Sequence, residues 1–238
     1  MKLDDIHTVY WKERREWVAS QRQNKSGWVA PLVLVAVVGG FLPYQLKTLW
    51  TTSMVSILVA MWVIFFRVTN TIADSIAGER ERHTLEALMI TPLPAYAIVW
   101  GKMLAAVRNT GPVMLLAMVV ALGTSNGRTL LAHWHMYSLP VLIGILLDGG
   151  LAGLVAAAVG IWISVHSRTV RQAQQTLSVL SLLFLIIPTL INNTVHLPLM
   201  SVLATHDLSR TIAALSLGLI LAGGILVVIA QRSFQAHP

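Results

Sequence analysis

Apolar positions along the chain gather into long runs at 28–46, 49–67, 97–122, 136–163, 176–192 and 212–230, separated by segments rich in charge, Pro, Asn or His. A bilayer core about 30 Å thick needs roughly 20 apolar residues per helix, so each run predicts one membrane-crossing helix and the set predicts six. The fourth run exceeds a single span, which points to tilt or to an extension past the bilayer. No internal repeat, low-complexity stretch or linker interrupts the series, so 1–238 reads as one transmembrane domain.

Residues 1–27 are too polar to cross. Wound as a helix, they place Ile6, Val9, Tyr10 and Trp17 on one face and Lys12, Arg15 and Arg22 on the other, as expected of an amphipathic helix lying at the inner leaflet. Glu13 interrupts the apolar stripe, and a solvated basic tail is the plainer alternative.

The polar segment 73–95, between the second and third runs, carries its own pattern. Glu79 to Met89 are mostly good helix formers, Arg82 and Glu86 are spaced to pair at i,i+4, and Pro92 and Pro94 end the helix. Leu85, Leu88 and Met89 share one face. Such a helix, held under the membrane, suits docking into a groove on a soluble partner; lying on lipid or on its own bundle is equally compatible with the pattern.

Composition narrows the class. With 238 residues, 55% hydrophobic and only 11% charged, against about 25% charged in a soluble domain, and with a mean hydropathy of +0.70, a water-soluble globule is excluded. The absence of cysteine removes disulfides and thiolate chemistry. A net charge of +7 raises nucleic acid as a partner, but the cations follow the membrane instead. Lys2, Lys12, Arg14, Arg15, Arg22 and Lys25 precede the first run, Arg67, Arg80, Arg82 and Lys102 flank the second polar segment, and Arg168, Arg171 and Arg232 continue the same side. Only Lys47, Arg128 and Arg210 fall on the other side, with Arg108 inside a run. The positive-inside rule then puts both termini in the cytoplasm and the chain in the cytoplasmic membrane, with no nucleic-acid role. The N-terminus lacks the pattern of a cleaved signal peptide.

Candidate chemistry is sparse. Asp148, in Leu146-Leu147-Asp148-Gly149-Gly150, is the one acidic residue well inside a run; an intramembrane carboxylate is a functional candidate by default. It stays neutral, pairs with Arg108, faces a hydrated cavity on a substrate pathway, or serves as an interhelical hydrogen-bonding residue. Gly149, Gly150, Gly153 and Gly160 give that helix a smooth face for close packing. His133, His135, His196 and His206 show no ligand spacing and read as interfacial residues beside Trp134 rather than a metal site. The Gly101-Lys102 pair is no P-loop, since Tyr96 and Met103 occupy positions that need Gly and Ser or Thr. The chain is therefore expected to bind no cofactor and to hydrolyse no ATP by itself. An intramembrane hydrolase is disfavoured by the absence of H-E-x-x-H and of a second acid for a carboxylate dyad.

In order and approximate spacing, Glu79-Arg80-Glu81, Thr84-Leu85-Glu86, Thr91-Pro92 and Gly101-Lys102 resemble the first cytoplasmic loop of ABC transporter permeases of the type-2 export class. His83 stands where that family often has Gly, which bears on the turn before Thr84. The segment Ser164 to Thr169, leading into Gln172-Ala173, is similar to the family's second cytoplasmic loop. The resemblance implies an all-α permease subunit that pairs with a second copy or a paralogue and is driven by two separate ATPase subunits, which hold the ATP and Mg. It implies that Glu79, Arg80, Glu81, Arg82, Thr84, Leu85, Glu86, Leu88 and Met89 form a coupling helix seated on the ATPase. It further implies alternating access along the first, second and fifth helices, a re-entrant segment over 192–210 at the outer mouth, and export of a hydrophobic or amphipathic small molecule, lipid or similar cargo. The competing class is a stand-alone secondary carrier or channel, for which repeated halves and more ionisable groups along a path are expected.

Overall fold

In the computed structural model, residues 3–23, 29–46, 54–84, 93–126, 136–195 and 208–236 are described, and helix is the regular structure among them. In chain order these are α1 (Leu3–Gln23), α2 (Val29–Leu34), a π-helical stretch (Val35–Phe41), α3 (Leu42–Leu46), α4 (Met54–Glu81), α5 (Ala95–Asn126), α6 (Leu139–His166), α7 (Val170–Val195) and α8 (Leu208–Ala236). Four of them, α4, α5, α6 and α8, are long and apolar enough to cross a membrane. The first apolar run forms a shorter apolar segment, Pro31–Leu46, and 176–192 lies within α7.

Helix α6 is the hub, packed between α4 and α8 and touching α5 and α7. Its small residues explain the position. A Cβ on Gly144 would lie 2.6 Å from Ile57 Cδ1, one on Gly149 2.7 Å from Ile64 Cδ1, and one on Gly160 would overlap Ile72 Cγ2. Isoleucines of α4 thus seat in notches along α6, the close approach that small residues allow between helices in a membrane. Ile57, Ile72, Ile161 and Leu177 are among the fully buried side chains.

The π-helical stretch has a local cause and use. Its widened turn ends with the Leu42 N–H donating to the Val37 carbonyl, and the Gly39 carbonyl accepts the Thr124 hydroxyl of α5 at 2.7 Å. A side chain at residue 39 would meet the Ala117 carbonyl at 2.7 Å. The run expected as one span at 28–46 is therefore irregular because it presses backbone to backbone on α5, the kind of break π turns make.

The second span differs from expectation at its far end: read to 67, it continues as α4 well past Arg67 to Glu81. It continues because Ile72, Ala73, Ile76 and Ala77 keep an apolar stripe buried beyond Arg67, so helix remains favoured while a neighbour covers that stripe. As a result Glu79, Arg80 and Glu81 do not start a separate helix; they form the last turn of α4.

Candidate functional site

The end of α4 is closed by its own backbone. The Thr84 N–H donates to the Glu79 carbonyl at 2.9 Å and the His83 N–H to the Arg80 carbonyl at 3.1 Å, the paired bonds of a Schellman cap. That cap requires a left-handed residue, usually Gly, and His83 takes the position with φ of 57°. The histidine therefore keeps the turn that glycine would form, at a steric cost of about 1 kcal/mol. The Thr84 hydroxyl adds a second donor to the Glu79 carbonyl at 3.2 Å.

Each charged residue of that last turn reaches a different element. Glu79 Oε1 accepts from Lys102 Nζ at 2.9 Å, and the same ammonium donates to Glu13 Oε1 of α1 at 2.7 Å. Lys102 is 1% exposed, Glu13 19% and Glu79 13%, so one enclosed cation joins α1, α4 and α5. The preceding Gly101 makes this possible: a Cβ there would sit 2.6 Å from Val9 Cβ, and the Ile6 carbonyl lies 3.2 Å away. The amphipathic helix α1 thus lays Ile6 and Val9 against α5, and Glu13, the residue that interrupts its apolar stripe, is the one that meets Lys102.

Arg80 turns the other way. Its guanidinium donates to the Ser167 carbonyl at 2.6 Å and to the Val165 carbonyl at 3.1 Å, covering carbonyls left open where α6 ends, where a cation is also favoured by the helix dipole. Glu81 Oε1 accepts the Val170 N–H at 2.8 Å, supplying an acid at the opening of α7. Thr169 and Gln172 complete that start: Thr169 Oγ1 accepts the Gln172 N–H, and Gln172 Oε1 accepts the Arg168 N–H. One turn below, Ser164 of α6 is spliced into α4, its hydroxyl accepting the Ala77 N–H at 2.9 Å and donating to the Ala73 carbonyl at 3.1 Å.

Asp148 is fully enclosed and faces α8, where the Ser216 hydroxyl lies 2.5 Å from its Oδ1. Ser216 also lies 2.9 Å from the Ile212 carbonyl. Arg108 is on an exposed face of α5 beside Ile6 and Tyr10 of α1, so the pairing of Asp148 with Arg108 is not formed. Each belongs to a different helix contact, and Asp148 acts here as a polar tie between α6 and α8.

Of the residues expected to couple, Glu79, Arg80, Glu81, Arg82 and Thr84 are brought together at the end of α4, while Leu85, Glu86, Leu88 and Met89 lie outside the described residues. His133, His135, His196, His206 and the segment 196–207 also lie outside them. Among the described residues no cluster of His, Asp and Glu is arranged to hold a metal. The sequence reading missed Glu13, Ser164 and Ser216. The available signal was Glu13 itself, an acid on an apolar stripe that needs a buried cation. The arrangement at the end of α4 is a set of ion pairs and hydrogen bonds between helices. It is a charged knot that fastens the middle of α1, the early turns of α5, the end of α6 and the start of α7 to the last turn of α4.

No curated protein matches the chain significantly. The family model described as ABC-2 family transporter protein matches residues 41–230, from the π-helical stretch to the last turns of α8.

Proposed function

The chain belongs to the ABC-2 transporter family, and from that premise we propose that it is the permease subunit of an ATP-driven exporter, working with separate ABC ATPase subunits and a second permease protomer. The observation that carries the reading is the last turn of α4, where Glu79, Arg80 and Glu81 hold α5 with α1, the end of α6 and the start of α7 respectively. A displacement of the chain following Thr84 acts on that turn, and through it on several helices at once. That is what a coupling element must do if partner closure is to tilt a pathway through the bilayer.

In this reading the two termini and the α4–α5 connection lie in the cytoplasm, following the cations. The six apolar runs of the sequence make six crossings in this reading, with a re-entrant stretch over 192–210. ATP and Mg are bound by the partner, since this sequence contains no P-loop. The cargo is a hydrophobic or amphipathic molecule, in keeping with the apolar faces that α5 and α8 present, among them Leu115, Val119, Leu221 and Ile225.

The test is reconstitution with the cognate ATPase. Leu85→Ala and Glu86→Ala are expected to reduce complex formation and partner ATP turnover by about tenfold, as removal of a hot-spot side chain does. Wild-type assembly and turnover in both variants would refute the coupling role.

A further inference from the structure

Beyond Gly101, where Val9 touches α5, α1 and α5 separate and leave a groove of about 680 Å³. It is lined by Asp4, Ile6 and Tyr10 of α1 and by Leu104, Val107 and Arg108 of α5. His7 lies on the same wall, but its Nε2 accepts the Trp11 indole N–H. Arg108 is six residues past Lys102, about 9 Å further along the helix, and so nearer the middle of α5 than the charged knot. A guanidinium at such depth is expensive unless it is paired or reaches an interface. Among the described residues it has no ion-pair partner, and neither has the Asp4 carboxylate. Residue 112 is proline, which has no N–H, so the Arg108 carbonyl also lacks its usual helical donor.

We propose that this groove holds one molecule of a phosphatidylethanolamine-type phospholipid, its phosphate on Arg108, its ammonium on Asp4, and its hydrocarbon along Ile6, Leu104 and Val107. The charge arrangement selects the occupant. Arg presents a planar fork suited to a phosphate, and the apolar side chains beside it suit an acyl chain. An acid on the opposite wall asks for a cation with N–H donors, which a primary ammonium supplies, a glycerol headgroup lacks, and a choline carries without donors. The inference requires only that α5 crosses the bilayer, and it is independent of cargo and of the ATPase.

Native mass spectrometry of the full chain in detergent, titrated separately with dioleoyl phosphatidylethanolamine, phosphatidylglycerol and phosphatidylcholine, tests the proposal. One phosphatidylethanolamine should be retained, with the other two bound about tenfold more weakly, the scale of one charge-assisted hydrogen bond. Arg108→Ala should weaken phosphatidylethanolamine retention by about tenfold, with Arg108→Lys intermediate. Asp4→Asn, a surface change that leaves packing intact, should erase the preference for phosphatidylethanolamine over phosphatidylglycerol. Equal retention of the three lipids by the wild-type chain overturns the proposal. So does unchanged retention in both Arg108 variants, or an unchanged preference in Asp4→Asn.

Discussion

Lys102 lies 89 residues from Glu13 in the chain and 2.7 Å from it in space. The same ammonium holds Glu79 at 2.9 Å, so two carboxylates that would repel each other share one enclosed cation. The cation is the member on which both carboxylates depend.

Removing the cation should therefore cost more than removing either anion. Lys102→Met leaves two carboxylates facing each other in a nearly closed site, and is expected to destabilise the protein by about 3 kcal/mol. Glu13→Gln keeps the Glu79 pair and should cost about 1 kcal/mol. The double variant should lose less than the sum, because its members share a partner. Unfolding midpoints in detergent measure all three. A Lys102→Met protein as stable as wild type would remove the knot from the account of the fold.

The cap at the end of α4 gives a change in the opposite direction. His83 occupies a left-handed position with φ of 57°, so His83→Gly should stabilise by up to about 1 kcal/mol. His83→Val, which is β-branched, should destabilise by more than that amount. Thermal unfolding of the pair decides it: if valine is tolerated as well as glycine, the turn is not held in this conformation in solution.

The contrast between these two sites shows what the sequence could convey. Long apolar runs located α4, α5, α6 and α8 because lipid-facing and core-facing positions are both apolar over a whole span, and the glycines of α6 announced its close packing. The helix boundary after Arg67 was not legible, since whether α4 continues depends on α6 being there to cover Ile72 and Ile76. The role of His83 was half visible, as a residue standing where glycine is usual. The Glu13–Lys102 pair was not visible, because it arises from two elements far apart in sequence. Nor was the Ser216 contact of Asp148, since a hydroxyl in an apolar run carries no direction.

That last contact yields its own prediction. Ser216 gives Asp148 Oδ1 its hydrogen bond, while Oδ2 has no partner among the described residues. Ser216→Ala should cost about 1 to 3 kcal/mol by leaving a buried polar group without its partner. Asp148→Asn cannot ionise but keeps an atom in reach of Ser216, and should be close to neutral for stability. Melting curves that rank the two variants the other way would mean that Asp148 draws its stability from another contact.

Arg80 separates geometry from charge. Its guanidinium spans two carbonyls at the end of α6, those of Ser167 and Val165, from the same turn in which Glu79 holds Lys102 and Glu81 opens α7. Lysine retains the positive charge at the α6 terminus, and with it the favourable dipole interaction, but cannot present a fork to two acceptors at once. If the turn transmits motion as a rigid unit, Arg80→Lys should keep most of the stability, losing about 1 kcal/mol. In the same variant, partner ATP turnover should proceed with less cargo moved per ATP, because the last turn of α4 holds the end of α6 less rigidly. Arg80→Ala should lose both stability and coupling. The measurement is the ratio of transported cargo to ATP hydrolysed in vesicles containing permease and ATPase. A wild-type ratio in Arg80→Lys, alongside a lowered one in Arg80→Ala, would assign the effect to charge at the helix end and not to the two-point contact.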